Sequence, residues 1–318
     1  MVGVMGRFIV RRLLASVPVL FLVSLITFGL LWLVPGDPAS VFLDASATAE
    51  ALNRVRHELG LDRPFLVRMG EWYLRLLQGD LGTSLLLNRS VTSAIFERLP
   101  ITLSLTALAF IVSVLIGVAA GVLAAVRHGR AADQGMMTLA LLGLSIPEFW
   151  LGLVLIWLVA VLLPIFPAGD YVPFARNPWQ WARHIALPTF TLACVQMGFV
   201  ARMTRSSMLE VLGQDFVRTA RAKGLPEPYV VIRHGLANAM VPIVTVMGIM
   251  VGALLGGAVV TEQVFSIPGL GRLIIGAVLS RDFPLIQGGL LFLAVIYLVV
   301  NIVVDLLYAA IDPRVRLG

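Results

Sequence analysis

Six stretches of this chain run for 18 to 28 residues without a single Asp, Glu, Lys or Arg: Leu13 to Gly36, Leu99 to Val126, Phe149 to Gly169, His184 to Ala201, His234 to Thr261 and Phe283 to Val304. A helix crossing a hydrocarbon core needs roughly 17 to 25 residues, so each stretch is long enough to span. Unpaired backbone groups are costly in hydrocarbon, which leaves helices and closed barrels as the possible spanning structures. Barrel strands alternate apolar and polar residues, whereas these runs are apolar on every side, and helices are therefore expected. With 59% hydrophobic and 13% charged residues, the chain could not hide its apolar surface in a soluble fold. The expectation is an all-α integral membrane protein with six transmembrane helices. The third is expected to start near Met136 and to carry Glu148 inside it.

The arginines orient the spans. With both termini cytoplasmic, the inner pieces hold 13 of the 24 basic residues and five acids, while the outer pieces hold 11 basic residues and 11 acids. Short positive loops on the inner side are what membrane insertion requires. The net charge of +6 is thus read as topology, and nucleic-acid binding is not called for. The first apolar run, 24 residues after Arg11 and Arg12, exceeds a signal-peptide core of roughly 7 to 15 residues and reads as an uncleaved anchor.

Four segments follow: residues 1–35, a cytoplasmic tip and first span; 36–98, an outer helical segment; 99–311, a five-helix core; and 312–318, a cytoplasmic tail. Pro35-Gly36-Asp37-Pro38 ends the first helix. The outer segment reads as two amphipathic helices, Ala47 to Leu59 and Pro64 to Leu77, then a polar turn at Gly79-Asp80-Leu81-Gly82-Thr83-Ser84.

Enzymatic signatures are missing. A phosphate-binding loop needs a glycine-rich turn, a lysine and a Ser or Thr, yet the one lysine, Lys223, is followed by Gly224 and Leu225. His57, His128, His184 and His234 form no metal-ligand pattern, no Gly-x-Ser-x-Gly elbow exists, and Cys194 has no partner for a disulfide. The chain is expected to be no enzyme, to bind no metal or cofactor, and to depend on a partner for any ATP-driven work.

Between the fourth and fifth spans lies an inner loop, 204–236. Met208, Val211, Leu212, Phe216 and Ala220 fit one helical face, Gly224 breaks that helix, and a second short helix from Glu227 to Arg233 leads into the fifth span. Periodicity leaves two readings open: a docking surface, or a helix pair resting on lipid headgroups. Glu148, after Pro147, either lines a translocation cavity and attracts a substrate's amino group, or pairs with a neighbouring subunit, or sits nearer the interface. Gly248, Gly252 and Gly256 recur at every fourth position, a face suited to close helix packing or to a gate at a second subunit.

Several motifs carry a resemblance. The run Arg218-Thr219-Ala220-Arg221-Ala222-Lys223-Gly224 is similar to the Glu-Ala-Ala-x-x-x-Gly loop of ABC importer permeases. Pro35 to Pro38, Gly79 to Ser84, Glu97-Arg98-Leu99-Pro100, Ser145 to Trp150, the stretch Glu262 to Gly271 and Asp312-Pro313-Arg314 fall in the order and spacing of the B-type permease subunit of the dipeptide/oligopeptide/nickel family. Arg218 stands where the general loop has glutamate, and His234, Leu236 and Ala237 replace most of the Ile-x-Leu-Pro tail; the chain resembles this subfamily in both departures.

The resemblance implies a type I ABC importer permease in a bacterial inner membrane that carries di- or oligopeptides, glutathione or a nickel chelate. It implies a second permease subunit, two ATPase subunits that bind ATP and magnesium, and an external substrate-binding protein. It makes Arg218, Thr219, Ala220, Arg221, Ala222, Lys223, Gly224 and Leu225 the ATPase-coupling loop, and Glu262, Phe265, Pro268, Gly269 and Gly271 an outer motif facing the binding protein or gating the outer side. The rival reading is a self-sufficient ion-coupled carrier or channel, for which Glu148 is the one clear relay candidate.

Overall fold

The computed structural model describes residues 2–33, 62–84 and 86–311, with positions 48, 50, 53 and 57. Pro35 to Pro38, nearly all of the helix expected from Ala47 to Leu59, and Asp312-Pro313-Arg314 lie outside the described residues. The elements are α1 (Val2–Leu33), α2 (Phe65–Leu77), a two-strand antiparallel ladder β1 (Thr83–Ser84) and β2 (Arg89–Ser90), α3 (Val91–Val126), α4 (Ala131–Ser145), α5 (Glu148–Leu162), α6 (Pro178–Leu212), α7 (Asp215–Ala222), α8 (Glu227–Val264), α9 (Leu270–Leu279) and α10 (Phe283–Ile311).

Among the described residues, five helices are long and apolar enough to cross a membrane: Val10–Gly29 within α1, α3, α6, α8, and Phe283–Val304 within α10. The sixth expected span is not one rod. α4 and α5 pass the same test together but meet at 105°. Ile146 precedes Pro147 and is pushed out of helical geometry to ψ 126°, and Pro147 itself has ψ 133°, so two extended residues separate the helices.

Two compact units divide the chain, Met1–Pro100 with Leu270–Val299 and Ile101–Gly269 with Val300–Gly318. In the first, α2 lays Phe65, Trp72 and Tyr73 on α1, where ring centroids of Phe28 and Phe65 are 5.3 Å apart and the Tyr73 hydroxyl meets Ser24 Oγ at 2.6 Å. Val91, Ala94 and Ile95 of α3 pack on Leu270, Ile274 and Ala277 of α9. The expected polar turn near Gly79 leads into the β1–β2 ladder, which is tied down by the fully buried Asp282. That carboxylate accepts from Ser84 Oγ (2.5 Å), from the Leu86 amide (3.2 Å), and from the Leu285 amide (3.2 Å) at the start of α10.

In the second unit α6 is the central post, packed most extensively on α4 and α8. Apolar burial drives little association within lipid, so close van der Waals packing and polar contacts must hold the helices. A methyl group built on Gly198 would lie 2.5 Å from the Ala140 carbonyl of α4; one on Gly121 of α3 would lie 2.5 Å from the Ala201 carbonyl and from Thr204 Cβ. Ser113 Oγ donates 2.6 Å to Ala109 O and 3.1 Å across to Ala193 O of α6. At the arginine-rich end Arg205 of α6 grips Asp133 of α4 through Nε (2.5 Å) and Nη2 (2.8 Å), and the Gly129 amide also donates to that carboxylate (3.0 Å). Asp133 is 3% exposed, so this pair holds a charge that could not stand alone.

Gly198→Ala is expected to destabilise the protein by about 1–3 kcal/mol through overpacking. The same change at Gly135, an exposed helical glycine with nothing within 4 Å of the added carbon, raises stability slightly by lowering unfolded-chain entropy. Thermal unfolding in detergent reads both, and equal shifts would contradict the α4–α6 contact. Asp133→Ala strands Arg205 and should cost about 2–4 kcal/mol, with Asp133→Ala/Arg205→Met less damaging than the single change.

Candidate coupling segment and translocation elements

The loop after α6 is a braced hairpin of helices. α6 ends at Leu212, Gly213 and Gln214 break it, and α7 begins a new helix at Asp215. That break shifts the phase of the apolar face: Val217 and Ala220, with Val230 of α8, form the buried contact, joined by Val211, Leu212 and Leu225. Phe216, expected on the inner face beside Ala220, is instead 46% exposed. A single helix through 206–222 would align Phe216 with Leu212, but no such helix exists.

Arg218, Thr219, Arg221, Ala222, Lys223 and Gly224 are exposed, and Ala220 is buried within the chain. Gly224 has φ +78°, a left-handed conformation that glycine adopts without penalty, so the chain can turn from α7 into α8 there. Arg221 donates to both Glu227 oxygens, Nε at 3.1 Å and Nη2 at 2.7 Å. This bond raises the Arg221 pKa above its ordinary value and ties the two sides of the turn together. Arg218 meets Asp215 only at 3.4 Å.

The second short helix expected from Glu227 to Arg233 does not stand alone; it is the first part of α8, and Val230–Leu236 is wound as a π-helix. π-turns in helices are frequent at functional sites. Residues 223–226 turn between α7 and α8, and from Glu227 the helix runs on through the π-helical stretch into the span without a break.

Glu148 opens α5, where Thr261 Oγ1 of α8 donates to its Oε1. A methyl group on Gly257 would lie 2.7 Å from Glu148 Oε2, so glycine at that position leaves room for the carboxyl group. Glu148 thus joins the far side of the α4–α5 bend to the last turns of α8, and it is only partly buried.

Glu262 and Phe265 are 0% and 1% exposed, and Gly269 and Gly271 are buried as well. Thr102 Oγ1 donates to Glu262 Oε1 at 2.5 Å, and a side chain at Gly269 would collide with that carboxyl group. Ile267 is 1% exposed in the same apolar core as Phe265, and its amide bonds back to Glu262 O at 2.9 Å. The stretch from Glu262 to Gly269 is folded inward around a buried carboxylate, with Ser266 exposed at its tip.

The three glycines of α8 have different surroundings. Gly248 approaches Val304 of α10, with 2.6 Å between an added Cβ and Val304 Cγ1, Gly252 is half-buried, and Gly256 is exposed with nothing within 4 Å. Sequence reasoning passed over Gly121 and Gly198, which carry packing as close as that at Gly248, although Gly117-x-x-x-Gly121 has the same spacing in α3. Asp282 and the Asp133–Arg205 pair were also passed over. A charged residue at each end of an apolar run is a weak signal, because most such residues are solvated. Among the described residues, no group of three or more His, Cys, Asp or Glu is gathered where it could hold a metal ion.

Comparison with known proteins agrees over nearly the whole chain. Residues 117–317 match the family described as binding-protein-dependent transport system inner membrane component, and residues 5–106 match the N-terminal region of such membrane components. A protein of Brucella abortus (strain 2308) assigned as the permease of a peptide transport system is 46% identical over 312 residues, 98% of this chain and 99% of that one. A glutathione transport system permease of Escherichia coli O6:H1 is 42% identical over the same coverage. Among solved structures, the inward-facing MetNI methionine ABC transporter aligns with a TM-score of 0.54 at 19% identity, covering 70% of this chain and 97% of that one, which bears on the fold. An amino acid ABC transporter aligns at 0.50 and 18%, covering 70% and 94%. The chain belongs to the binding-protein-dependent transport system inner membrane component family and is a multi-pass permease subunit of an ABC importer.

Proposed function

We propose that this subunit imports short peptides, or a small peptide such as glutathione, through a pathway shared with a second permease, and that ATPase subunits drive it by moving the α7 segment. The peptide and glutathione permeases among its relatives support the substrate class. An external binding protein delivers the substrate. The subunit lies in the bacterial inner membrane with its N-terminus cytoplasmic, as the charge bias of the loops favours.

The observation that carries the coupling reading is the bracing of α7. Its inner face is packed by Val217 and Ala220, its turn is clamped by Arg221 and Glu227, and its outer face is left open. A partner pushing on Arg218, Thr219, Ala222, Lys223 and Gly224 would move the adjoining ends of α6 and α8 together. Ala220 and Leu225 support the segment from within, and contact with ATPase falls to the exposed positions. ATP and magnesium belong to those partners.

Glu148 is proposed to lie on the translocation path, where its charge attracts a peptide's amino group while its bond to Thr261 sets its position. Gly256, exposed on α8, and Gly252 are proposed to meet the second permease. Glu262, Phe265, Pro268, Gly269 and Gly271 are proposed to set the shape of the outer gate from inside the fold.

Two measurements test this. Gly224→Trp enters open space but strains the backbone at φ +78°; it should cut ATP-driven uptake and ATPase co-purification by about tenfold or more beyond Gly224→Ala, which carries the same strain without the bulk. Normal uptake with the ATPase still bound would remove the coupling role. Glu148→Gln keeps an acceptor for Thr261 and removes the charge. Uptake of peptides with a free amino terminus should fall, and unchanged uptake for every peptide tested would end the path assignment.

A further inference from the structure

A groove of about 450 Å³ opens on the second unit between α3 and the first half of α8. One wall is the α3 stripe from Val114 to Val126, and the other is formed by Ile232, Leu236, Met240 and Met247. None of the lining side chains can hydrogen-bond strongly, so a peptide backbone or any other polar ligand would lose its bonds to water there without replacement. The occupant must be hydrocarbon.

Its length and size narrow the choice. From Val114 to Val126 the helix rises about 18 Å, close to the roughly 15 Å depth of one leaflet's hydrocarbon. An acyl chain is slender enough to lie along this length, whereas a straight helix about 10 Å across would seat only its side chains there. Both walls end at a cation. Arg127 directly follows the lining residue Val126, and Arg233 directly follows the lining residue Ile232. Both arginines are exposed, and neither makes an ion pair among the described residues. Basic residues at the end of an apolar cleft between spanning helices suit an anionic lipid headgroup.

We infer that this groove is a binding site for one anionic phospholipid, with an acyl chain between α3 and α8 and the phosphate held by Arg127 and Arg233. Arg127 presents a bidentate donor to phosphate oxygens, as does Arg233. The methionines on the α8 wall let the groove fit tails of different length and unsaturation. The π-helical stretch Val230–Leu236 carries part of this wall, so the lipid would bear directly on the helix that leaves the coupling segment.

The test uses the assembled transporter, purified in detergent with phosphatidylglycerol and phosphatidylcholine at equal mole fraction, and native mass spectrometry to count retained lipids. The wild type is expected to keep phosphatidylglycerol preferentially. Arg127→Ala/Arg233→Ala should reduce that preference about tenfold or more, while Arg202→Ala, an exposed cation on α6 outside the groove, should leave it intact. Filling the groove by Ala119→Trp should expel the lipid with both arginines present. If that variant fails to assemble, Leu123→Cys in a Cys194→Ser background, capped by a bulky maleimide after folding, serves instead. Unchanged retention in the double variant, an equal loss in Arg202→Ala, or crosslinking of Leu123→Cys to the second permease in place of lipid would each overturn the site. Uptake and ATPase binding are read separately through Gly224→Trp, so this inference and the proposed transport function can fail independently.

Discussion

Hydrocarbon offers the backbone no hydrogen-bond partner, and the rest of this structure follows from that constraint. Every spanning segment must close its own bonds, so among the described residues each long apolar run is helical over most of its length. Where regular helix gives way, at Ile146-Pro147 and through the π-helical stretches Ile156–Leu162 and Val230–Leu236, a local arrangement takes over: an adjoining helix start, a neighbouring helix, or a wider turn. Two of these places, the bend before Glu148 and the π-helical start of α8, adjoin residues that the proposed mechanism uses.

The same solvent removes the usual reason for helices to associate. α6 is held by contacts that act without water: backbone against backbone where Gly121 and Gly198 permit it, a shared hydroxyl bond at Ser113, and the Asp133–Arg205 pair. These contacts fasten α3 and α4 to α6 along its length. α6 then runs into α7 through only Gly213 and Gln214. A force applied to α7 meets a helix that is gripped on two sides, and α8 receives it through the Arg221–Glu227 clamp. At the other end of the α4–α5 bend, Glu148 and Thr261 provide a second polar link to α8. The bent span is thus attached to α6 at one end and to α8 at the other, a geometry suited to a subunit that must change shape while keeping its helices intact.

The spans, the absence of a nucleotide loop and the family were legible because each depends on composition or on local motif order. Charge-free runs mark helices whatever surrounds them, and Phe283–Val304 recurs unchanged in α10. Pro147 announced a break but not its size, since a proline removes helical geometry at the residue before it and leaves the angle to neighbouring helices. The face of α7 was misread because periodicity assumes one unbroken helix, and the break at Gly213 and Gln214 turns Phe216 outward and Val217 inward. Among the glycines, the repeat at Gly248, Gly252 and Gly256 drew attention, yet the same spacing at Gly117 and Gly121 sets both of those glycines close against α6.

By itself, then, the sequence determined the approximate limits of five apolar helices and membership of the permease family, because these rest on short-range pattern and on residue order. Tertiary structure alone decided which charges are buried and paired, which glycines touch a neighbour, and which side of α7 is open. Asp133 and Arg205 are 72 residues apart, Ser84 and Asp282 are 198, and Thr102 and Glu262 are 160. No local pattern records such a pairing; it exists only once helices distant in the chain have packed and excluded water from the charge between them.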